Sequence, residues 1–191
     1  MKSNTAQQIL DVAQTMVRNR GYSAFSYADI AKEIGIRKAS IHYHFPSKED
    51  LVKELVIRYR DNLVRKCQVI EQQKINPQEQ LKKFVSLYRD GLAEDKICLC
   101  GMLTADFVVL NPEIQEELKI FFAAAESWLT RLLQRGSAAK VWQCTQPCES
   151  EAKSIIAMLQ GAQLLARAAN NSAKTFDKVT GDFLKDKISN E

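Results

Sequence analysis

Apolar side chains recur every three to four positions along most of the chain, the spacing of one face of an α-helix. The first stripe is Ile9, Leu10, Ala13, Met16 and Val17. Asn4 or Thr5 is placed to cap it, and Gly21 stands where a left-handed residue closes a helix. Ser26 opens a short helix with Asp29 as the acid three residues on, and Gly35 ends it. A second short helix spans about Lys38–His44. Pro46 stops that one, and Ser47 with Glu49 and Asp50 starts the next. Its stripe runs through Leu51, Leu55, Tyr59, Leu63 and Ile70, about 26 residues or ~39 Å of helix. Asn76-Pro77 and Asn111-Pro112 each join a cap to a proline in the first turn. The second predicts a helix to about Arg135, stopped by Gly136. Between these two starts, Lys96–Leu110 reads as one mostly buried helix. Ser137–Cys148 reads as a loop, although Val141 and Trp142 require burial. Two last helices are expected at about Glu149–Ala169 and Ala173–Ile188. The pattern is all-α, with about nine helices and no internal repeat.

Composition narrows the class. Seven Gly and four Pro in 191 residues are too few for a turn-rich β-sandwich or barrel. With 46% hydrophobic and 26% charged residues, the chain is expected to bury a core without metal or disulfide staples. The longest uncharged stretch, Ser154–Ala166, has 13 residues. A membrane-spanning helix needs about 18. No apolar segment opens the chain, so a cytoplasmic location is expected. The five Cys, at 67, 98, 100, 144 and 148, are an odd number in no secreted framework, and reduced thiols are the default reading, although Cys144 and Cys148 fall in an expected loop where a disulfide could form.

Charge is unevenly spread. Residues 1–66 carry 12 Lys+Arg and 7 Asp+Glu, whereas 67–191 carry 15 and 16. A basic N-terminal module facing a polyanion is one reading, and an ordinary solvated surface is the other.

Tyr27–Ile36 and the helix after it have the make-up of a helix-turn-helix. Ile30, Ile34, Ile36 and Ile41 supply the crossing, Ala31 allows close approach, and Gly35 accommodates the turn. The second helix then exposes Lys38, Ser40, His42, Tyr43 and His44, donors and aromatics suited to a major groove and its phosphate walls. An ordinary helical hairpin would share the spacing.

The runs Tyr27-Ala28-Asp29-Ile30-Ala31, Gly35 to Phe45 and Ser47-Lys48-Glu49-Asp50-Leu51 resemble the DNA-binding signature of the TetR/AcrR family of bacterial regulators. The resemblance covers about residues 8–55. It implies a helix-turn-helix domain over 1–47 and an effector-binding and dimerisation domain over 48–191. It also implies that Lys38, Ser40, His42 and His44 reach bases or backbone, and that Tyr43 and Lys48 grip phosphate. Tyr27, Ala28, Arg37 and Ala39 lie on the same implied surface. His42 departs from the more usual Tyr, and Arg37 from a frequent Ser.

The remainder carries no catalytic constellation. Both His lie in the N-terminal module, and no Gly-rich phosphate loop occurs, so neither enzyme, cofactor nor metal is expected. An effector cavity, as the resemblance implies, would draw on Leu63, Cys67, Phe84, Tyr88, Leu103, Thr104, Phe107, Phe121 and Trp128. Plain core packing is the competing account of each. Asp106 is a second polar candidate, for a cationic ligand, a cap or a neighbouring Arg. Gly161, Ala162 and Ala166 permit close helix approach. With Leu165 and the stripe Phe176, Val179 and Phe183 they suggest a two-helix face for a homodimer. The expected partners are therefore operator DNA, a small apolar or aromatic effector and a second copy. A cysteine-based switch is the alternative signal. A helical enzyme or ligand carrier is the alternative class.

Overall fold

The structure is a computed structural model that describes residues 4–144 and 146–188. Among them are nine α-helices, two 3-10 turns and no strand. The helices are α1 (Asn4–Arg20), α2 (Tyr27–Ile34), α3 (Lys38–His44), α4 (Lys48–Gln72), α5 (Pro77–Arg89), α6 (Leu99–Ala105), α7 (Pro112–Ala138), α8 (Cys148–Arg167) and α9 (Ser172–Ile188). The turns are Leu92–Glu94 and Phe107–Val109. No described helix is long and apolar enough to cross a membrane. By compactness the chain divides into two units. One runs to Asp61 and adds Leu99–Phe121; the other comprises Asn62–Cys98 and the chain from Phe122 onward.

In the first unit, four of the five stripe residues of α1 are buried as their spacing predicts: Ile9, Leu10, Ala13 and Val17 are fully enclosed, whereas Met16 is half-buried. Ile30 of α2, Ile41 of α3 and Leu51, Val52, Leu55 and Val56 of α4 complete this core. Arg58 of α4 reaches Asp11 at 2.7 Å and Gln14 at 2.9 Å on α1. Arg60 meets Glu117 of α7 at 2.5 Å, with both side chains largely shielded. Pairs such as Lys53–Glu113, at 2.6 Å and exposed, add little to stability. They fix orientation more than stability.

The expected continuous helix over Lys96–Leu110 is not formed. Helix α6 is only seven residues long, and a 3-10 turn follows. Thr104 turns its hydroxyl back onto the Cys100 carbonyl at 2.7 Å, a bond that competes with regular helix. Asp106 then leaves helical geometry, and its carboxylate accepts the Tyr22 N–H at 3.2 Å. Val108 and Val109 are exposed rather than buried, at 91% and 66%.

In the second unit α8 and α9 pair, and α5 packs on both. Gln163 of α8 is buried. Its carbonyl accepts the Cys98 N–H at 2.9 Å, and its amide donates to the Tyr88 carbonyl at 2.5 Å. One side chain thus satisfies two buried backbone groups at the ends of the α5–α6 connection. Helix α7 does not stop at Gly136 but runs to Ala138. Glycine stands there because the Trp142 indole lies where a side chain would begin: a Cβ would sit 2.2 Å from its ring. Trp142 is buried, as expected, and donates Nε1–H to the Leu133 carbonyl at 3.0 Å.

Candidate nucleic-acid interface

The reading helix is set by caps at both of its neighbours. Ser26 and Asp29 form a reciprocal capping box at the start of α2. The two hydrogen bonds from Ser26 hold the Asp29 carboxyl below the usual carboxylate range. Gly35 closes α2 at φ 77°, a left-handed conformation that favours glycine, and Gly35 and Ile36 both donate their N–H to Ala31. This reversal leads into α3, whose Ile41 is wholly buried between its neighbours. Phe45 N–H closes α3 on the Ile41 carbonyl at 2.8 Å. Ser47 and Asp50 make a second reciprocal box at the start of α4, with Asp50 N–H on Ser47 Oγ at 3.0 Å and Ser47 N–H on Asp50 at 3.0 Å.

With Ile41 inward, α3 presents its other face to solvent. Arg37, Lys38, Ala39 and His42 are exposed, Tyr43 is 84% exposed, and Ser40 and His44 are half-buried. Ala28 of α2 is exposed too. Tyr43 and His44 stack edge to face, with centroids 5.0 Å apart. The surface carries two cations, two imidazoles, a phenol and a hydroxyl. His42 directs Nδ1 at the Pro46 carbonyl, 3.1 Å away; the others can donate hydrogen bonds to phosphate or base edges.

Two candidates are used otherwise. Tyr27 is buried, and its hydroxyl donates to the Phe45 carbonyl at 2.9 Å and to that of Ser47. Burial, then the carboxylates of Asp50 and Glu49, raise its pKa above the ordinary tyrosine value. It holds the end of α3 against the start of α4 and is not a surface contact. Lys48 also turns inward. Its ammonium donates to the Tyr22 and Phe25 carbonyls, each at 2.7 Å, and sits 4.5 Å and 4.3 Å from their ring centres. Partial burial lowers its pKa, against the opposing pull of Glu49 and Asp106. Two of its three donors are spent inside the unit, so it is a strut here.

Sequence reasoning missed the loop these residues surround. Tyr22 donates its N–H to Asp106 and its hydroxyl to Glu49, and its carbonyl accepts from Lys48. Asp106, considered for a ligand or an Arg, is a backbone anchor instead. Its partner lies 84 positions away, and no local pattern announces it.

The effector candidates fall in both units. Leu63, Cys67, Phe84, Tyr88 and Trp128 are buried in the second. Phe84 stacks on Trp128 at 5.0 Å and tilts against Tyr88 at 5.7 Å. The buried Trp128 Nε1–H has no hydrogen-bond acceptor. Leu103, Phe107 and Phe121 belong to the first unit, where Phe121 tilts against Tyr59 at 5.7 Å. Thr104 is exposed, its hydroxyl committed to Cys100, so it lines no interior. On the α8–α9 pair, Leu164 and Leu165 are 57% and 61% exposed, and Val179 and Phe183 are half-buried. Phe176 is wholly enclosed within its own chain and cannot serve a dimer face.

Cys144 and Cys148 form a disulfide across the start of α8, the pairing their loop allows, in place of the reduced thiols of the default reading. The other three are buried thiols. Burial pushes the Cys67 thiol up to about 12, so it is protonated and inert at neutral pH. After mild reduction, maleimide is expected to label Cys144 and Cys148 within minutes and to leave Cys67, Cys98 and Cys100 unmodified until denaturant is added. Peptide mass mapping reads the result.

Residues 9–55 match the family model described as bacterial regulatory proteins, tetR family. The chain is similar to a TetR-family transcriptional regulator from Agrobacterium tumefaciens, with 35% identity, coverage of 96% of this chain and 97% of that one, and a TM-score of 0.91. A TetR transcriptional regulator from Legionella pneumophila is 34% identical, with 98% and 99% coverage and a TM-score of 0.89. The transcriptional repressor KstR2 of Rhodococcus jostii is 33% identical over 85 residues, 44% of this chain and 42% of that protein.

Proposed function

Since the chain belongs to the TetR family of bacterial transcriptional regulators and binds DNA as such, we propose that it is a repressor that leaves its operator when a small molecule binds its helical body. In this reading residues 1–47 form the DNA-binding domain and 48–191 the sensing and dimerisation domain. The observation that carries the proposal is the exposed face of α3, which is polar, basic and aromatic over a buried Ile41. Arg37, Lys38, Ser40, His42, Tyr43 and His44 make the contacts. A mobility shift with duplex from upstream of its gene, at two salt concentrations, tests it. The repressor shows sequence-preferring, salt-sensitive binding; a carrier or enzyme shows none.

The cluster Phe84, Tyr88 and Trp128, with Leu63 and Cys67, supports an effector that is flat and apolar. An unsatisfied Trp128 N–H favours one that also brings a hydrogen-bond acceptor. Release follows only if the effector binds the DNA-incompetent arrangement more tightly.

The repressor acts as a homodimer through Leu164, Leu165, Val179 and Phe183. Leu165→Asp leaves the chain's own core untouched, because Leu165 is exposed within it. At a dimer interface the buried, unpaired charge costs about 3–5 kcal/mol. Light scattering is expected to show monomer with an unchanged circular dichroism spectrum. A variant that stays dimeric moves the interface elsewhere.

A second signal has its own observation in the Cys144–Cys148 disulfide. Two thiols there would give two protons and two electrons to a hydroperoxide, leaving a disulfide, water and an alcohol. The buried thiols are poor candidates for that chemistry.

A further inference from the structure

We propose that His42 reads an exocyclic amino group, adenine N6 or cytosine N4, in the major groove, with Nε2 as the hydrogen-bond acceptor. The inference rests on the DNA-reading role of α3 and specifies what one of its residues selects.

His42 Nδ1 lies 3.1 Å from the Pro46 carbonyl oxygen. A carbonyl oxygen has no hydrogen to give, so Nδ1 carries the proton. A neutral imidazole has one donor nitrogen and one acceptor. Nε2 is therefore bare. His42 is exposed, and its recorded contacts are this hydrogen bond and an edge-to-face contact with Tyr27, centroids 4.8 Å apart. Among the described residues no hydrogen-bond partner occupies Nε2.

The ring is held from two sides. Tyr27 is itself pinned by its hydroxyl to the Phe45 and Ser47 carbonyls, on either side of Pro46. Flipping the imidazole would put a carbon against the Pro46 carbonyl and lose the hydrogen bond. The tautomer and the direction of the acceptor are thus fixed before DNA arrives, so little ordering remains to oppose binding.

The major groove has a simple answer to an acceptor. Adenine and cytosine show amino hydrogens there, whereas guanine shows N7 and O6 and thymine shows O4 and a methyl group. A bare Nε2 bonds the first two and meets lone pairs on the others. A tyrosine hydroxyl at the same place would both donate and accept, and would discriminate less.

The test begins with a randomised duplex library selected at about pH 8. Wild-type protein and His42→Ala are selected in parallel, and their thermal unfolding is compared. Wild type is expected to enrich a motif with one position, adenine or cytosine, that relaxes in His42→Ala. Replacing that adenine by purine, or that cytosine by 2-pyrimidinone, removes only the amino group. The loss is expected to be roughly three- to tenfold for wild type, the worth of one hydrogen bond, with no further loss for His42→Ala. Should the two proteins enrich the same motif, or the analogue cost wild type nothing, the inference is overturned. A library that enriches no motif at all overturns the DNA-reading role itself. Nitrogen-detected NMR of the wild-type protein checks the premise even if His42→Ala misfolds. Nδ1 is expected in the protonated range and Nε2 in the unprotonated range, and the opposite tautomer contradicts the proposal.

Discussion

Lys48→Met should lower the melting temperature by about 5–15 °C while leaving the salt dependence of DNA binding unchanged. The ammonium donates to the Tyr22 and Phe25 carbonyls, each at 2.7 Å. Hydrogen bonds to a charged group are worth about 1.5–3 kcal/mol each. The desolvation that lowers the lysine's pKa weighs against this, so the loss comes from the two carbonyls left without a donor, about 1–3 kcal/mol each, and each kcal/mol moves a chain of this size by about 2–4 °C. Methionine keeps the apolar stem against both rings, so the loss isolates the charge. Operator affinity should fall, because the loop between α1 and α2 loses an anchor. The slope of log K against log salt should not change, because no phosphate contact is removed. An unchanged melting temperature with the slope reduced by about one counterion would put Lys48 back on a phosphate. Calorimetry and a salt titration separate the two roles.

The second large effect is expected at Gln163. Its amide satisfies the Cys98 N–H and the Tyr88 carbonyl, all three buried. Gln163→Leu fills similar space but strands both groups, at about 1–3 kcal/mol each. The expected loss is about 2–5 kcal/mol, measured by denaturant unfolding. Gln163→Glu is a useful companion, because a carboxylate still accepts from Cys98 but cannot donate to Tyr88 when ionised. It should therefore fall below Gln163→Leu, because a buried, unpaired charge is added to the lost donor. Equal stability of all three proteins would mean that these backbone groups find other partners.

Helix starts were legible in the sequence because caps are local. Ser26 with Asp29, Asn76 with Pro77 and Asn111 with Pro112 all open helices where their spacing predicts. The reading helix Lys38–His44 was legible for the same reason, being bounded by Gly35 and Pro46. What failed was decided at a distance. The apolar run through Val108 and Val109 looks like a buried helix, yet Asp106 leaves the helix and bonds to Tyr22 in another part of the chain. Gly136 looks like a stop, but it is the space Trp142 needs.

Side-chain direction was the other gap. The signature positions Tyr27 and Lys48 fall on the right helices, but their polar atoms turn inward to backbone carbonyls. Phe176 shares a stripe with Val179 and Phe183, and spacing alone cannot say that the chain's own helices cover it. A motif assigns residues to a face. Which of them remain free to touch a partner depends on the carbonyls left over at helix ends, and those appear only once the helices are packed.

The central claim is that the outward face of α3 reads a duplex. Footprinting on the upstream duplex tests it most directly, with wild-type protein beside a variant carrying Arg37→Ala, Lys38→Ala and Tyr43→Ala. All three side chains are exposed, so the variant should fold and melt like wild type. Wild type is expected to protect two half-sites about one helical turn, ~34 Å, apart. The variant should lose that protection, with affinity down roughly a hundredfold or more. A folded variant that protects the same half-sites at the same concentration would show that some other surface holds the DNA.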